Sequence, residues 1–296
     1  MSLLVEGKEV KITNPEKVLW PEMGIRKIDY ITKLIELAPY LLPYSRDHML
    51  TTIRYPDGVH KKSKSFYQKN LPPSSPDWIP TVSWHENNYI ILNDLAVLVW
   101  LGNQAALEFH IPFNSNENQN NPDSLVFDLD PSEGQSFEDA AEAALLIYTE
   151  LNNLSIASYI KTSGASGLQI YIPVGGKYDY DTARKINHFF AVFFSQKYPQ
   201  KITIERMVKN RGKKLYFDYL QMWQGKTIIC PYSPRATLKA TIATPLEWNE
   251  LQADINPEEF NLLNIAQRLQ SKKDLFQPLL QQDRAQDLDF ILQNLR

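Results

Sequence analysis

The amino-acid sequence predicts an α/β (α+β) fold: a two-layer core of mixed and antiparallel sheet with flanking helices, joined to an N-terminal lobe. Three observations carry this. Past residue 124, short apolar runs of strand length alternate with longer stretches of helical periodicity. The run SLVFDLD at 124–130 is an apolar strand that ends in carboxylates and stops at Pro131. Ser136 stands three residues before Asp139, as in a capping box. It opens a helix over 137–152 whose Phe137, Ala141, Ala144, Tyr148 and Leu151 share one face.

Taken in order, SLLVEGKEVK near the N-terminus predicts a short hairpin, and NPEKVLWPEMG carries the punctuation of a loop. A helix begins at Arg26, because Ile28, Ile31, Leu34, Ile35 and Ala38 recur at helical spacing. Pro39 and Pro43 should end or kink it. HMLTTIRY at 48–55 reads as a strand, residues 71–87 as a long loop rich in Pro, Ser and Trp, and 95–107 as a buried helix. NSNENQNNPDS at 114–124 is polar enough for a flexible loop or insertion. Beyond the helix over 137–152 come strands near 157–161 and 168–173, a helix from about Asp181 to Tyr198, and strands near 202–206, 214–218 and 226–230. From 257 onward the pattern is polar helix with several apolar turns.

The 296 residues suffice for two domains or for one large domain with an appended lobe, and 13 Phe, 15 Tyr and 6 Trp argue for a packed core. The single cysteine, Cys230, cannot form an internal disulfide or a cysteine-rich zinc site. No basic-then-apolar leader is visible, and apolar runs such as LAVLVWL at 95–101 are too short to span a bilayer. These features imply a cytoplasmic protein without a membrane role. A net charge of −3 excludes a protein that is basic all over. Two local clusters, KKSKSFYQK at 61–69 and KNRGKK at 209–214, could meet phosphates or could be solvated surface loops.

The chemistry centres on D-x-D. Side chains alternate along a strand, so Asp128 and Asp130 project to one side while Leu129 turns to the core. Two hard oxygen ligands at a rim suit Mg²⁺ or Mn²⁺ that also grips substrate phosphates; a turn-forming acidic strand end is the plainer alternative. A third carboxylate, Asp218, closes another strand in KKLYFDYLQ, and three acids on two strand ends fit two-metal phosphoryl transfer. Between them lies KTSGASGLQIYIP. Its small-residue loop over 162–167 would expose backbone N–H groups and the hydroxyls of Ser163 and Ser166 to a triphosphate, although an ordinary tight turn has the same composition.

In this order and nearly end to end, NPEKVLWP, RYPDG, SFYQK, ALEFHIP, VFDLDP, KTSGASGLQ, FDYLQ, PYSPRA and TPLEW resemble the polymerase domain of bacterial DNA ligase D. That family is an archaeo-eukaryotic-type primase acting in non-homologous end joining. The resemblance implies one primase-polymerase domain over 1–296, with an N-terminal lobe at 1–110 that contacts DNA ends, a catalytic core at 111–250 and a helical tail at 251–296. It implies Asp128, Asp130 and Asp218 as catalytic ligands of two Mn²⁺ or Mg²⁺ ions, with NTP or dNTP as substrate. Asn14, Lys17 and Lys27 match a 5′-phosphate pocket, and Phe66 and Tyr67 an aromatic pair on which the template stacks. Arg54, Lys69, His110, Gln221 and Arg235, with Ser163, Ser166 and Gln169, correspond to positions near the incoming nucleotide or the metals; a buried hydrogen-bond bridge is the alternative for Arg54 and Gln221. Implied partners are DNA with 5′-phosphorylated ends, the end-binding protein Ku and an ATP-dependent ligase, in a nucleoid-associated setting.

The chain departs from the family's S-G-x-K-G-L-H loop, carrying Ser166 and Gln169 where a Lys and a His usually stand. Both changes remove cationic partners for a triphosphate, so weakened nucleotide binding is expected. An alternative reading is a DNA-end-binding module with weakened or lost polymerase activity. A D-x-D phosphohydrolase is a third, disfavoured because Pro131 and Ser132 follow the motif.

Overall fold

The structure, a computed structural model, describes residues 1–253 and 255–293. The chain divides into two compact units. The first takes residues 1–117, 227–243 and 258–274; the second takes 118–226, 244–257 and 275 onward.

The first unit opens with the hairpin β1 (Ser2–Val5) and β2 (Lys8–Lys11), followed by the short pair β3 (Val18–Trp20) and β4 (Ile25–Arg26). Helix α1 (Lys27–Ser45) continues through Pro39 and Pro43, where the sequence predicts an end or a kink. The two rings remove the donors that would reach the carbonyls of Ile35 and Pro39. Both residues are exposed, so water can take over those carbonyls, while Tyr30, Ile31, Leu34, Leu37 and Leu41 bury the opposite stripe.

Next come β5 (Met49–Arg54), β6 (Phe66–Gln68), and the hairpin β7 (Thr81–Trp84) with β8 (Asn87–Ile91). The hairpin occupies part of the region predicted as loop, because His85 adopts a left-handed φ of 50° and lets Trp84 pair with Asn87. Helix α2 (Leu95–Asn103) is capped by Asp94, whose carboxylate accepts from the Val97 N–H at 2.8 Å. It stops short of residue 107. Ala105, at a φ of 54°, breaks the helix, and ALEFHI becomes the strand β9 (Ala106–Ile111).

The second unit carries β10 (Ser124–Asp130), α3 (Phe137–Asn153), β11 (Tyr159–Thr162), β12 (Leu168–Pro173), α4 (Tyr180–Lys197), β13 (Ile202–Thr203) and β14 (Leu215–Phe217). Ser136 and Asp139 form the capping box that the sequence predicts. β15 (Ile228–Ile229) belongs to the first unit again, giving its sheet the order β15-β9-β5-β8-β7 with β6 beside β5. β16 (Pro245–Leu246) closes the second unit's sheet as β13-β14-β10-β12-β11-β16. The C-terminal region holds α5 (Ile265–Lys272) and α6 (Asp289–Gln293), with short 3₁₀ turns between them.

In β10 the alternation decides where chemistry can occur. Leu125, Phe127 and Leu129 are fully buried on one face. Phe127 packs against Phe190 and Phe194 of α4 and Phe217 of β14, with ring centroids 4.9–6.3 Å apart. Such buried aromatic contacts fix the strand firmly. Asp128 and Asp130 therefore face the other way, on a strand held rigid from behind.

Candidate active site

The acids meet through strand register. β10 and β14 pair antiparallel with Leu129 opposite Phe217 and Asp130 opposite Tyr216. The same register carries Asp218 opposite Asp128, where the Asp218 N–H donates to the Asp128 carbonyl at 2.9 Å. Carboxylate oxygens of Asp128, Asp130 and Asp218 lie within 4.8 Å of one another. Burial, then the neighbouring charge of Asp130, pushes the Asp128 carboxyl up to about 7. Asp218 adds to the rise, against a hydrogen bond from Gln169 and the nearby charge of Lys161. Asp218 is oriented by the Tyr216 hydroxyl at 3.2 Å and the Leu220 N–H at 3.1 Å. Burial and Asp218 raise the Tyr216 phenol to about 12, so it stays a donor, and the Arg211 guanidinium lies 3.6 Å over its ring. Three hard oxygen donors with surplus negative charge fit divalent ions of the Mg²⁺ or Mn²⁺ kind.

The small-residue loop is self-satisfied more than the sequence suggests. The Ser163 hydroxyl oxygen accepts from the Ala165 N–H at 3.2 Å and the Gly167 N–H at 3.0 Å, while the Ser163 N–H donates to the Gly167 carbonyl at 2.8 Å. Three of the amides expected to face a triphosphate thus close the loop on itself. Ser163 keeps its hydroxyl hydrogen to donate, and Ser166 sits exposed at the tip. Gly167 is required by close approach: a Cβ there would stand 2.6 Å from the Leu129 carbonyl and 3.3 Å from Asp130 Oδ1. Gly167→Ala is expected to push the loop away from β10 at a cost of about 1 to 3 kcal/mol, read as a lowered urea midpoint. An unchanged midpoint would show that the loop yields freely.

Gln169 has a different surrounding from the one its sequence position suggests. It is buried, its Nε2 donates to Asp128 Oδ1 at 3.0 Å, and its Oε1 accepts from Lys161 Nζ at 2.5 Å. Gln221 lies on the turn after Asp218, its N–H donating to the Asp218 carbonyl at 3.2 Å.

The first unit gathers the other sequence-predicted residues in three groups. Asn14 (left-handed, φ 48°), Lys17 and Lys27 converge because the Lys17 N–H donates to Asn14 O at 3.0 Å and the Lys27 N–H to Lys17 O at 2.8 Å. The Lys27 ammonium is buried and donates to Thr13 O at 2.7 Å; burial first, then the charges of Lys17 and Arg54, hold it below the usual lysine range. The Lys17 ammonium meets the exposed Asp57 at 3.4 Å. Crowded cations of this kind suit a phosphate dianion.

Arg54 is engaged by the Gln104 carbonyl at 2.7 Å and the Gln68 side chain at 2.8 Å, and its guanidinium lies 5.1 Å from the Phe66 ring centroid. Phe66 and Tyr67 are exposed, and Lys69 follows them at the surface. On β6 they face opposite sides, Phe66 across from Arg54 and Tyr67 across from Ile53.

His110 and Arg235 are joined through Glu108, which the sequence reading did not single out. Its buried carboxylate contacts His110 Nε2 at 2.9 Å and Arg235 at 3.4 Å and accepts from the Ala236 N–H at 3.1 Å. Burial alone would raise the Glu108 carboxyl, but His110 and Arg235 prevail and hold it below 4.5. A depressed carboxyl stabilises the fold above its unfolded pKa and ceases to do so as pH falls through the folded one. Glu108→Gln should therefore cost about 1 to 3 kcal/mol at neutral pH, with the gap to wild type closing in acid. Urea titrations at pH 7 and at successively lower pH would check it; a gap that stays constant throughout would contradict the charge assignment. The spacing of Glu108 and His110, two apart on a strand, was the available signal.

Three carboxylates converge from adjacent strand ends beside a tight small-residue loop, an oxygen cluster that could hold a divalent ion of the kind nucleotidyl transfer uses. A family model described as LigD, primase-polymerase domain, matches residues 26–276, and the chain belongs to that family. It is 36% identical over 289 residues to the bifunctional non-homologous end joining protein LigD of Bacillus subtilis, covering 97% of this chain and 47% of that protein. It is 31% identical to the multifunctional LigD protein of Mycolicibacterium smegmatis, covering 92% of this chain and 36% of that one. This chain thus spans less than half the length of either relative. Among solved structures, the polymerase domain of Mycobacterium tuberculosis ligase D in complex with DNA superposes with a TM-score of 0.83 at 29% identity, over 92% of this chain and 98% of that one. Among the described residues, no helix is long and apolar enough to cross a membrane.

Proposed function

We propose that the chain acts as one primase-polymerase domain in non-homologous end joining, adding ribo- or deoxynucleotides under template direction at 5′-phosphorylated breaks or gaps. The single observation behind this reading is the convergence of Asp128, Asp130 and Asp218. These three would hold two Mn²⁺ or Mg²⁺ ions, which when bound supply charge neutralisation for a triphosphate and its pyrophosphate leaving group. The chain's own residues would do the rest. Lys17, Lys27 and Asn14 would grip a terminal 5′-phosphate, while Phe66 and Tyr67 would offer exposed ring faces to template bases, a contact tolerant of any sequence. Ser163 would donate its hydroxyl to a phosphate oxygen. By the resemblance, Arg54, Lys69, His110, Gln221 and Arg235 also act on the nucleotide or the metals. DNA as partner is supported by the DNA-bound mycobacterial relative; Ku, an ATP-dependent ligase and a cytoplasmic, nucleoid-associated setting follow from the end-joining role.

The test is incubation with a 5′-phosphorylated gapped duplex, labelled ribo- or deoxynucleotides, and Mn²⁺ or Mg²⁺. Extension complementary to the template is expected. Tight DNA binding with no extension would identify an end-binding module instead, and nucleotide hydrolysis alone a phosphohydrolase.

A further inference from the structure

Lys161 is fully buried within the second unit's sheet, where an ammonium is costly unless well partnered. Its ammonium reaches the Thr162 carbonyl at 3.4 Å, and its cross-strand partner is set by register. Asp128 pairs with Gln169 across β10 and β12, and Gln169 pairs with Lys161 across β12 and β11. Cross-strand partners share a face, so with Asp218 opposite Asp128 the four side chains form one lateral row over four strands. Lys161 Nζ donates to Gln169 Oε1 at 2.5 Å, and Gln169 Nε2 donates to Asp128 Oδ1 at 3.0 Å. The ring of Tyr171 lies 6.0 Å from the ammonium.

The row has a direction. An amide can be turned either way, but an ammonium only donates, so the Gln169 oxygen must face Lys161 and its NH₂ must face Asp128. A carboxylate that receives one defined donor has one oxygen fixed and the other free to ligate. We propose that Lys161 is a positioning residue of the metal site: its ammonium holds the Gln169 carbonyl and thereby aims the Gln169 amide at one oxygen of Asp128. Where the family pattern carries a histidine this chain has Gln169, and the cation that Gln169 meets is Lys161, one strand further out. Gln169 accordingly serves the metal side of the centre rather than the triphosphate. This inference rests on the proposal that the three acids bind divalent ions.

The test is Mn²⁺ binding to the full chain without nucleotide, followed by the electron paramagnetic resonance of free Mn²⁺. Lys161→Met and Gln169→Leu should each weaken binding by about 10- to 100-fold, the usual effect of removing a partner that orients a metal ligand. The double variant should be no weaker than the worse single one, because both remove the same relay. Lys161→Met with a lowered melting temperature but unchanged Mn²⁺ affinity would reduce the residue to a structural role and overturn the inference. Should that variant fail to fold, wild-type protein serves: the Gln169 side-chain NH₂ resonances should shift with Mg²⁺ at the midpoint of binding, and stationary resonances would overturn the inference. Wild-type protein that takes up no Mn²⁺ would overturn the metal site and the inference with it.

Discussion

Asp130→Asn is expected to abolish nucleotide incorporation, by at least about a thousandfold or ~4 kcal/mol in the barrier, while making the metal-free protein more stable. Both effects come from the same crowding. Asp130 is the largest charge raising the Asp128 carboxyl, second only to burial, and Asp218 is a lesser one. A carboxyl raised from 3.8 to about 7 contributes its full share of stability below pH 3.8 and loses it as pH climbs to about 7. The metal-free wild type should therefore weaken over that interval. In Asp130→Asn the decline should be shallower, leaving a gain of about 1 to 2 kcal/mol at pH 7.5. Asp218→Asn should lose activity equally but gain less stability, because Asp218 also accepts from Tyr216 and Leu220. Urea denaturation in a chelator at pH 5 and pH 7.5 gives the ranking. An Asp130→Asn protein less stable than wild type would mean that the three acids do not repel one another.

The second large effect concerns Lys27. Lys27→Met keeps the apolar stem in its buried slot but removes an ammonium already crowded by Lys17 and Arg54. On the proposal that these cations grip a terminal phosphate, the preference for 5′-phosphorylated over 5′-hydroxyl gaps should fall about tenfold to a hundredfold, as expected for a charge-assisted contact of ~1.5 to 3 kcal/mol. Binding should also become less salt-dependent by roughly one phosphate contact. Affinities for the two duplexes over a salt series measure both quantities. An undiminished preference for the phosphorylated end would place the 5′-phosphate elsewhere.

Local physics explains which parts of this were legible in the sequence. Alternation alone put Asp128 and Asp130 on one face, and Ser136 with Asp139 marked the start of α3. What depended on pairing register was not legible. Asp218 could be named as a candidate, but only the β10–β14 pairing sets it opposite Asp128. Nothing local marks Lys161, because lysine is almost never fully buried unless partnered, and its partner lies on another strand. The sequence shows in Gln169 only the charge it lacks, whereas register gives its amide to Asp128. The prolines sit inside α1 for a related reason: Ile35 and Pro39, whose carbonyls lose their donors, are exposed residues, and tertiary packing of the other stripe outweighs the local penalty. β15 and β16 come from late segments that complete two different sheets, a long-range pairing that no local window contains.

The most direct measurement is single-turnover extension on a gapped duplex in Mn²⁺, comparing 5′-phosphate with 5′-hydroxyl ends and wild type with Asp130→Asn. Templated incorporation that is faster on the phosphorylated gap and absent from the variant is the expected result. Equal binding of both duplexes with no incorporation by the wild-type protein would contradict the assignment of a polymerase site.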